Sequence, residues 1–232
     1  MNMSEPVYIA GLDIGTTKIA CIVGEKMPNG KIEIRGYGKT ESTGVKRGMV
    51  VNIEETVDAI RRAVTLASEQ SKVDIKSVNV GIAGHHIKSL QHRGVLIRER
   101  ADVEISEQEL NKLQDDMYKI GTSPGEEIVN VIPQEYFVDG EAVGSHRPKG
   151  MLGNKLEANF HVIIGQTIAV KNICKCIEQA GLVMENMILE PIASAAAVLG
   201  EDEKEAGVAI VDIGGGTTDI AVFYDSIIYH TA

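Results

Sequence analysis

The sequence predicts an α/β protein made of two related halves, and three observations carry that prediction. Apolar residues switch between strand alternation and helical spacing along the whole length, with turn residues at most of the switches. Two stretches near opposite ends, YIAGLDIGTTKIACIVGE from Tyr8 and VAIVDIGGGTTDIAVFYD from Val208, follow one pattern: an apolar strand, Asp-Ile-Gly, a Gly/Thr turn and an alternating strand. A chain of 232 residues, 44% hydrophobic and 24% charged, has the length and composition to bury a core in one or two compact domains.

The elements follow in order. Val7 to Leu12 and Lys18 to Glu25 alternate as strands on either side of Gly-Thr-Thr. Pro28-Asn29-Gly30 is turn chemistry, because Asn and Gly tolerate positive φ at low steric cost; Lys31 to Glu41 then returns as a third strand. A helix follows, capped by Asn52, with Val57, Ile60, Val64 and Ala67 at helical spacing. Ser77 to Ala83 is a buried strand ending at Gly84, and Gly94 to Glu99 continues the β-pattern. Ser106 and Glu109 form a capping box for a helix striped by Leu110, Leu113, Met117 and Ile120, which Gly121 stops.

Glu126 to Val138 is a strand with Pro133 inside it, hence near an edge or a bulge. Asn154 to Gly165 is another strand. The helix from Ile168 to Ala180 carries Val170, Ile173 and Ile177 on one face and ends at Gly181. Pro191 opens a short helix of small residues, and Glu201 to Glu205, EDEKE, is a solvated charged loop. The last residues, SIIYHTA, stop inside strand-like sequence. That ending predicts a truncated chain whose final hairpin exposes an edge through which copies could pair.

Composition excludes several functions. The net charge of −10 gives no electrostatic reason to approach nucleic acid or an anionic bilayer. No apolar run approaches the roughly 18 residues of a membrane span. MNMSEPVYIAGLD lacks a basic segment followed by an apolar one, so no signal peptide is expected. Cys21, Cys174 and Cys176 are an odd count without zinc-ligand spacing, which fits reduced cytosolic thiols.

The repeat carries the chemistry. Asp13 and Asp212 hold matching places, as do Gly15 and Gly214, and Thr16-Thr17 matches Thr217-Thr218 after a two-residue insertion. Glycines let backbone N–H groups converge on a ligand that a Cβ would hold off. Threonine hydroxyls and the Lys18 ammonium add donors suited to phosphate oxygens. Asp13 and Asp212 each end a strand facing one spot, and two carboxylates without His or Cys suit Mg²⁺ held through its waters. One such turn is an ordinary hairpin; the pair predicts a phosphate site between hairpins. The P-loop pattern G-x-x-x-x-G-K-[ST] is absent, and a dinucleotide fingerprint needs a helix where DIAVFYD alternates as a strand.

Paired hairpins of this kind resemble the phosphate-one and phosphate-two motifs of the actin-like ATPases. AGLDIGTTKIACIVGE, VGIAGHHIKS, VIPQEYFVDG and LGEDEKEAGVAIVDIGGGTTDIAVF, in that order, resemble the FtsA family of bacterial cell-division proteins over nearly the whole chain. The resemblance implies an actin-like (ribonuclease H-like) nucleotide-binding α/β fold with an inserted α+β subdomain, truncated at the C-terminus. It assigns 1–83 to a first domain with the phosphate-one hairpin and 84–163 to the inserted subdomain. Residues 164–190 return to the first domain, and 191–232 begin an incomplete second one with the phosphate-two hairpin.

By the same resemblance, ATP phosphates are contacted by Gly15, Thr16, Thr17 and Lys18 from one side. Gly214, Gly215, Gly216, Thr217 and Thr218 contact them from the other, and Asp13 and Asp212 organise Mg²⁺. Glu190, in ILEPIASAAAV, matches the glutamate before proline that positions Mg²⁺ or the attacking water in chaperone-like relatives, and is the candidate catalytic residue. A plain helix N-terminal carboxylate is the other reading.

The implied function is that of an ATP-binding cytoskeletal protein, with at most slow ATPase activity, that polymerises and links the FtsZ ring to the membrane. Its place is the cytoplasmic face of the division septum. FtsZ and the protein's own polymer are the implied partners, with other division proteins reached through 84–163 and no nucleic acid. Membrane contact comes from a C-terminal amphipathic helix which, like the rest of the second half, is missing from these 232 residues. The chain alone is therefore expected to bind ATP weakly or not at all, and neither FtsZ nor lipid. A PilM-like pilus adaptor of the same fold and a small-molecule kinase of the superfamily are the alternatives. VIPQEY and EDEKE weigh against the adaptor; the lack of a recognisable substrate base or substrate domain in 84–163 weighs against the kinase.

Three other groups of residues are set aside. His85 and His86, as neighbours in a strand, point to opposite faces and make no metal pair. Cys174 and Cys176, two apart on a helix, do not face one site. Arg93, Arg98 and Arg100 are solvated strand-end charges.

Overall fold

The computed structural model describes residues 6–232; residues 1–5, at the head of the stretch expected to lack a signal peptide, lie outside the described residues. The chain runs β1 (Val7–Ile14), β2 (Lys18–Lys26), β3 (Ile32–Glu41), β4 (Val45–Lys46), β5 (Met49–Val50), α1 (Ile53–Ser71), β6 (Ser77–Ile82) and β7 (Ile87–Ile97). Next come α2 (Glu107–Met117), β8 (Glu126–Val138), β9 (Glu141–Gly144), β10 (Lys155–Gln166), α3 (Thr167–Gln179) and β11 (Val183–Leu189). It closes with α4 (Glu190–Val198), α5 (Glu201–Ala206), β12 (Val208–Ile213), β13 (Thr218–Tyr224) and β14 (Ile227–Thr231). Two compact units emerge. One takes residues up to His86, Thr167–Ala193 and Asp212–Asp219; the other takes Ile87–Gln166, Ser194–Val211 and Ile220–Ala232.

The first unit is built on a five-stranded mixed sheet of order β11-β6-β1-β2-β3. The β1–β2–β3 meander is antiparallel, while β6 runs parallel to both β1 and β11. Helix α1 packs on β2 and β3 and against α3. On this helix Val57, Ile60 and Ala67 are buried as the spacing predicts, whereas Val64 is half-buried and Ala63 lies fully buried beside them. Asn52 caps it, accepting from the Glu55 N–H at 3.2 Å, and a left-handed Lys72 ends it. The helix lies unusually close to β3 because that strand has no side chain at two points. A Cβ on Gly36 would lie 2.5 Å from the Ala67 carbonyl oxygen, and one on Gly38 only 1.9 Å from that of Ala63.

The second unit contains an antiparallel sheet of order β7-β10-β8-β9, covered by α2. Ile105, Leu110, Leu113, Met117, Tyr136 and Phe160 are among the side chains that fill its core. The Ser106–Glu109 capping box forms as expected. Pro133 stands opposite Phe160, and the register skips Gln134, so the strand accommodates proline with a bulge. Among the described residues no helix is long and apolar enough to cross a membrane.

Five local expectations are corrected. Strand β7 begins at Ile87, well before Gly94, because its first half alternates with polar residues that look like loop. EDEKE is a helix: the Glu203 carboxylate folds back to the Gly200 N–H at 2.8 Å, and Lys204 pairs with Glu201 at 2.9 Å. His85 and His86 lie in the turn between β6 and β7, not in a strand. Arg98 is not solvated; its side chain is 2% exposed, pairs with Glu109 at 2.8 Å and donates to the carbonyls of Gly153 and Val103. Finally, β14 is the outer strand of the β12-β13-β14 sheet, but side chains occupy part of its edge. Gln91 and Ser89 donate to the Tyr229 and Thr231 carbonyls at 3.2 and 3.4 Å, and Gln134 donates to that of Ile228.

The three cysteines are free thiols. Burial pushes Cys21 and Cys176 up to about 11, so neither is a reactive nucleophile.

Candidate functional site

Both glycine turns lie in the first unit, and they are built alike. In the first, the Gly15 N–H donates to the Lys18 carbonyl at 3.0 Å; in the second, Gly214 donates to Thr217 at 2.9 Å. Asp13 and Asp212 are each the penultimate residue of the strand that feeds its turn. The backbone thus pairs Gly15 through Lys18 with Gly214 through Thr217 without any insertion. Thr16-Thr17 corresponds to Gly215-Gly216 and not, as the sequence alignment had it, to Thr217-Thr218. Thr218 opens β13, one residue past the closed turn.

The tips of the two turns touch. A Cβ on Gly215 would lie 1.7 Å from Thr17 Oγ1, and one on Gly216 would lie 2.7 Å from Thr16 Oγ1. The second residue of each turn meets the third of the other, a local two-fold arrangement. Two threonines on one turn are accommodated only because two glycines stand on the other. The glycine run therefore has a steric cause in the protein itself, beyond any ligand. Between Gly15, Thr16, Gly48, Glu190 and Thr217 remains a cavity of about 20 Å³, enough for roughly one water. The space left beside the two tips is therefore small in this arrangement.

Acidic groups ring this place. Burial pushes the Asp13 carboxyl above its ordinary range, the Asp212 charge adds to the effect, and Lys18 opposes it. Glu190, at the first position of α4, is pushed up to about 8, chiefly by burial and then by the charges of Asp13, Asp219 and Asp212, again against Lys18. Asp13, Asp212, Glu190 and Lys18 thus share one electrostatic neighbourhood. Among the described residues no three His, Cys, Asp or Glu side chains are gathered closely enough to hold a metal by themselves. That donor set fits a cation held mainly through water and phosphate oxygens.

Asp219 is the member that sequence reasoning missed. It is buried, and its Oδ1 accepts the Gly84 N–H at 3.2 Å, where Gly84 has a φ of +108°. In the register of the turns Asp219 matches Ala20, so the repeat gives no signal for it; only its place next to GGGTT does.

The elevated Glu190 has a pH signature. Its folded value of about 8 stands above the ordinary 4.5, so between these the folded chain holds a proton that the unfolded chain has released. Stability therefore falls as pH rises from about 4.5 to about 8. Glu190→Gln is expected to remove that slope: variant and parent melt alike near pH 4.5, and the variant is the more stable at pH 8. Melting scans in Mg-free buffer check it, and parallel pH profiles would contradict it.

Comparison with solved structures places the fold. A chain of a PilM–PilN type IV pilus biogenesis complex superimposes with a TM-score of 0.65 at 13% identity, covering 97% of this chain and 61% of that one. The ethanolamine utilization protein EutJ from Carboxydothermus hydrogenoformans gives 0.52 at 18% identity, covering 100% and 53%. The fold is that of the actin-like nucleotide-binding proteins, carrying an inserted α+β subdomain. Residues 84–164 match the family model described as the SHS2 domain inserted in FtsA.

The chain is 44% identical to the cell division protein FtsA of Pseudomonas aeruginosa over 225 residues, covering 97% of this chain and 53% of that protein. For FtsA of Neisseria meningitidis the figures are 42%, 97% and 54%, and for FtsA of Escherichia coli 34%, 96% and 52%. The chain is thus similar to FtsA proteins over nearly its whole length, and it spans about half the length of the curated relatives it matches.

Proposed function

We propose that this chain is the nucleotide-holding portion of an FtsA-type cytoskeletal protein that binds Mg-ATP, polymerises and links an FtsZ ring to the membrane at the septum. The observation that carries the reading is the meeting of two equivalent Gly/Thr turns, each led by an aspartate, beside Lys18 and Glu190. In this reading Gly15, Thr16, Thr17 and Lys18 hold phosphates from one side and Gly214 through Thr218 from the other. Asp13 and Asp212 orient the waters of Mg²⁺, which supplies charge neutralisation to the phosphates. Glu190, whose carboxyl is pushed up to about 8 by burial and by the neighbouring aspartates, would orient a water beside the phosphates. Hydrolysis is slow. Residues 84–163 serve as the contact surface toward other division proteins.

Identity of 34–44% to FtsA, against 13% to the PilM chain, favours division over pilus assembly. A fluorescent fusion of the full-length gene product in its own cell is expected to form a band at midcell. Foci at pilus bases with no midcell band would contradict the reading.

A further inference from the structure

Gly48 sits at the tip of the β4–β5 ribbon, and it touches both phosphate turns. Its N–H donates to Thr16 Oγ1 at 3.2 Å. On its other side, a Cβ at Gly48 would lie 3.4 Å from Thr217 Cγ2 and 2.6 Å from the Ala83 carbonyl oxygen. The same Thr217 methyl lies 3.4 Å from where a Cβ on Gly84 would be, so two glycines close around it. The ribbon makes this approach through two successive left-handed residues, Arg47 at φ 50° and Gly48 at φ 75°, a backbone suited to a tight primed turn.

We infer that Gly48 is a positioning residue for phosphate recognition, an inference that rests on the nucleotide reading above. A threonine hydroxyl that accepts from a backbone N–H has its own proton free for another acceptor. Gly48 therefore turns the Thr16 O–H outward as a donor for an oxyanion. By holding Thr16 on one turn and the Thr217 methyl on the other, it also keeps the two tips in register. Any side chain at position 48 collides with a carbonyl that cannot rotate away, and the ribbon must lift off both turns at once.

The test uses the full-length gene product and two alanine variants. Gly48→Ala and Gly30→Ala both place a Cβ at positive φ, +75° and +81°, but the Gly30 Cβ has nothing within 4 Å. Both are expected to lower the melting temperature through backbone strain. In a calorimetric Mg-ATP titration, Gly48→Ala is expected to bind at least about tenfold more weakly, and Gly30→Ala to bind as the parent does. Parent-like affinity in Gly48→Ala overturns the inference. If Gly48→Ala fails to fold, hydrogen exchange of the unaltered protein decides: Mg-ATP is expected to slow exchange across residues 45–50, and unchanged exchange overturns it. A parent that binds no Mg-ATP overturns the nucleotide reading and this inference together. Binding that Asp212→Ala abolishes but Gly48→Ala leaves intact overturns this inference alone.

Discussion

Gly38→Ala is expected to cost at least about 3 kcal/mol of stability, the upper end of what overpacking usually costs, whereas Gly11→Ala costs little. The added methyl at position 38 would lie 1.9 Å from the Ala63 carbonyl oxygen, 2.8 Å from the Ala67 nitrogen and 2.9 Å from Leu66 Cβ. Two of those three atoms are helix backbone. They cannot swing aside as a long side chain does, so α1 as a whole must shift from β3. That shift opens gaps around Val57, Ile60, Ala63 and Ala67, which are buried on the same helix face. Gly11, in strand β1 of the same sheet, has nothing within 4 Å of its added Cβ, and alanine there gains the small entropic advantage it holds over glycine in a strand. Urea unfolding of the two variants beside the parent checks the contrast. Equal losses in both would mean that α1 is not wedged against β3.

Asp212→Ala is expected to weaken Mg-ATP binding by the full-length gene product on the order of 100-fold, about 2.7 kcal/mol. Asp212 sits at the strand end that feeds the second turn, and its charge reaches both Asp13 and Glu190. In the proposed reading, the Asp212 carboxylate joins Asp13 in making two ordinary hairpins one cation site. Without it Asp13 alone is not expected to hold the cation. The loss should appear as weaker Mg²⁺-dependent affinity, with the melting temperature little changed or raised, because a mutual repulsion among carboxylates has been relieved. An unchanged dissociation constant would remove Asp212 from the site.

What was legible in the sequence was local. Asn52 and the Ser106–Glu109 pair mark helix starts because the capping groups lie within three residues of the amides they satisfy. The Asp-Ile-Gly repeats stand out because the same strand–turn–strand geometry is needed twice. The actin-like fold class followed from them and from the family resemblance. What escaped depended on distance or on surroundings. Asp219 gains its meaning from Gly84, 135 positions away. Arg98 reads as a surface charge until α2 lays Glu109 over it. The four residues of β9 are too short for alternation to show, and EDEKE looks like solvent-facing loop because a one-turn acidic helix buries nothing. The register of the two turns is hidden for a related reason: the sequence pairs threonine with threonine, yet contact between the tips requires threonine opposite glycine.

The central claim is that Asp13 and Asp212 serve one cation. A double-mutant cycle tests it most directly, with Mg-ATP dissociation constants measured for the parent, Asp13→Ala, Asp212→Ala and the double variant. If the two carboxylates share an ion, each single change already releases it, and the double variant binds within about threefold of the weaker single. Losses that multiply, each aspartate contributing its full factor regardless of the other, would mean two separate sites and would contradict the account.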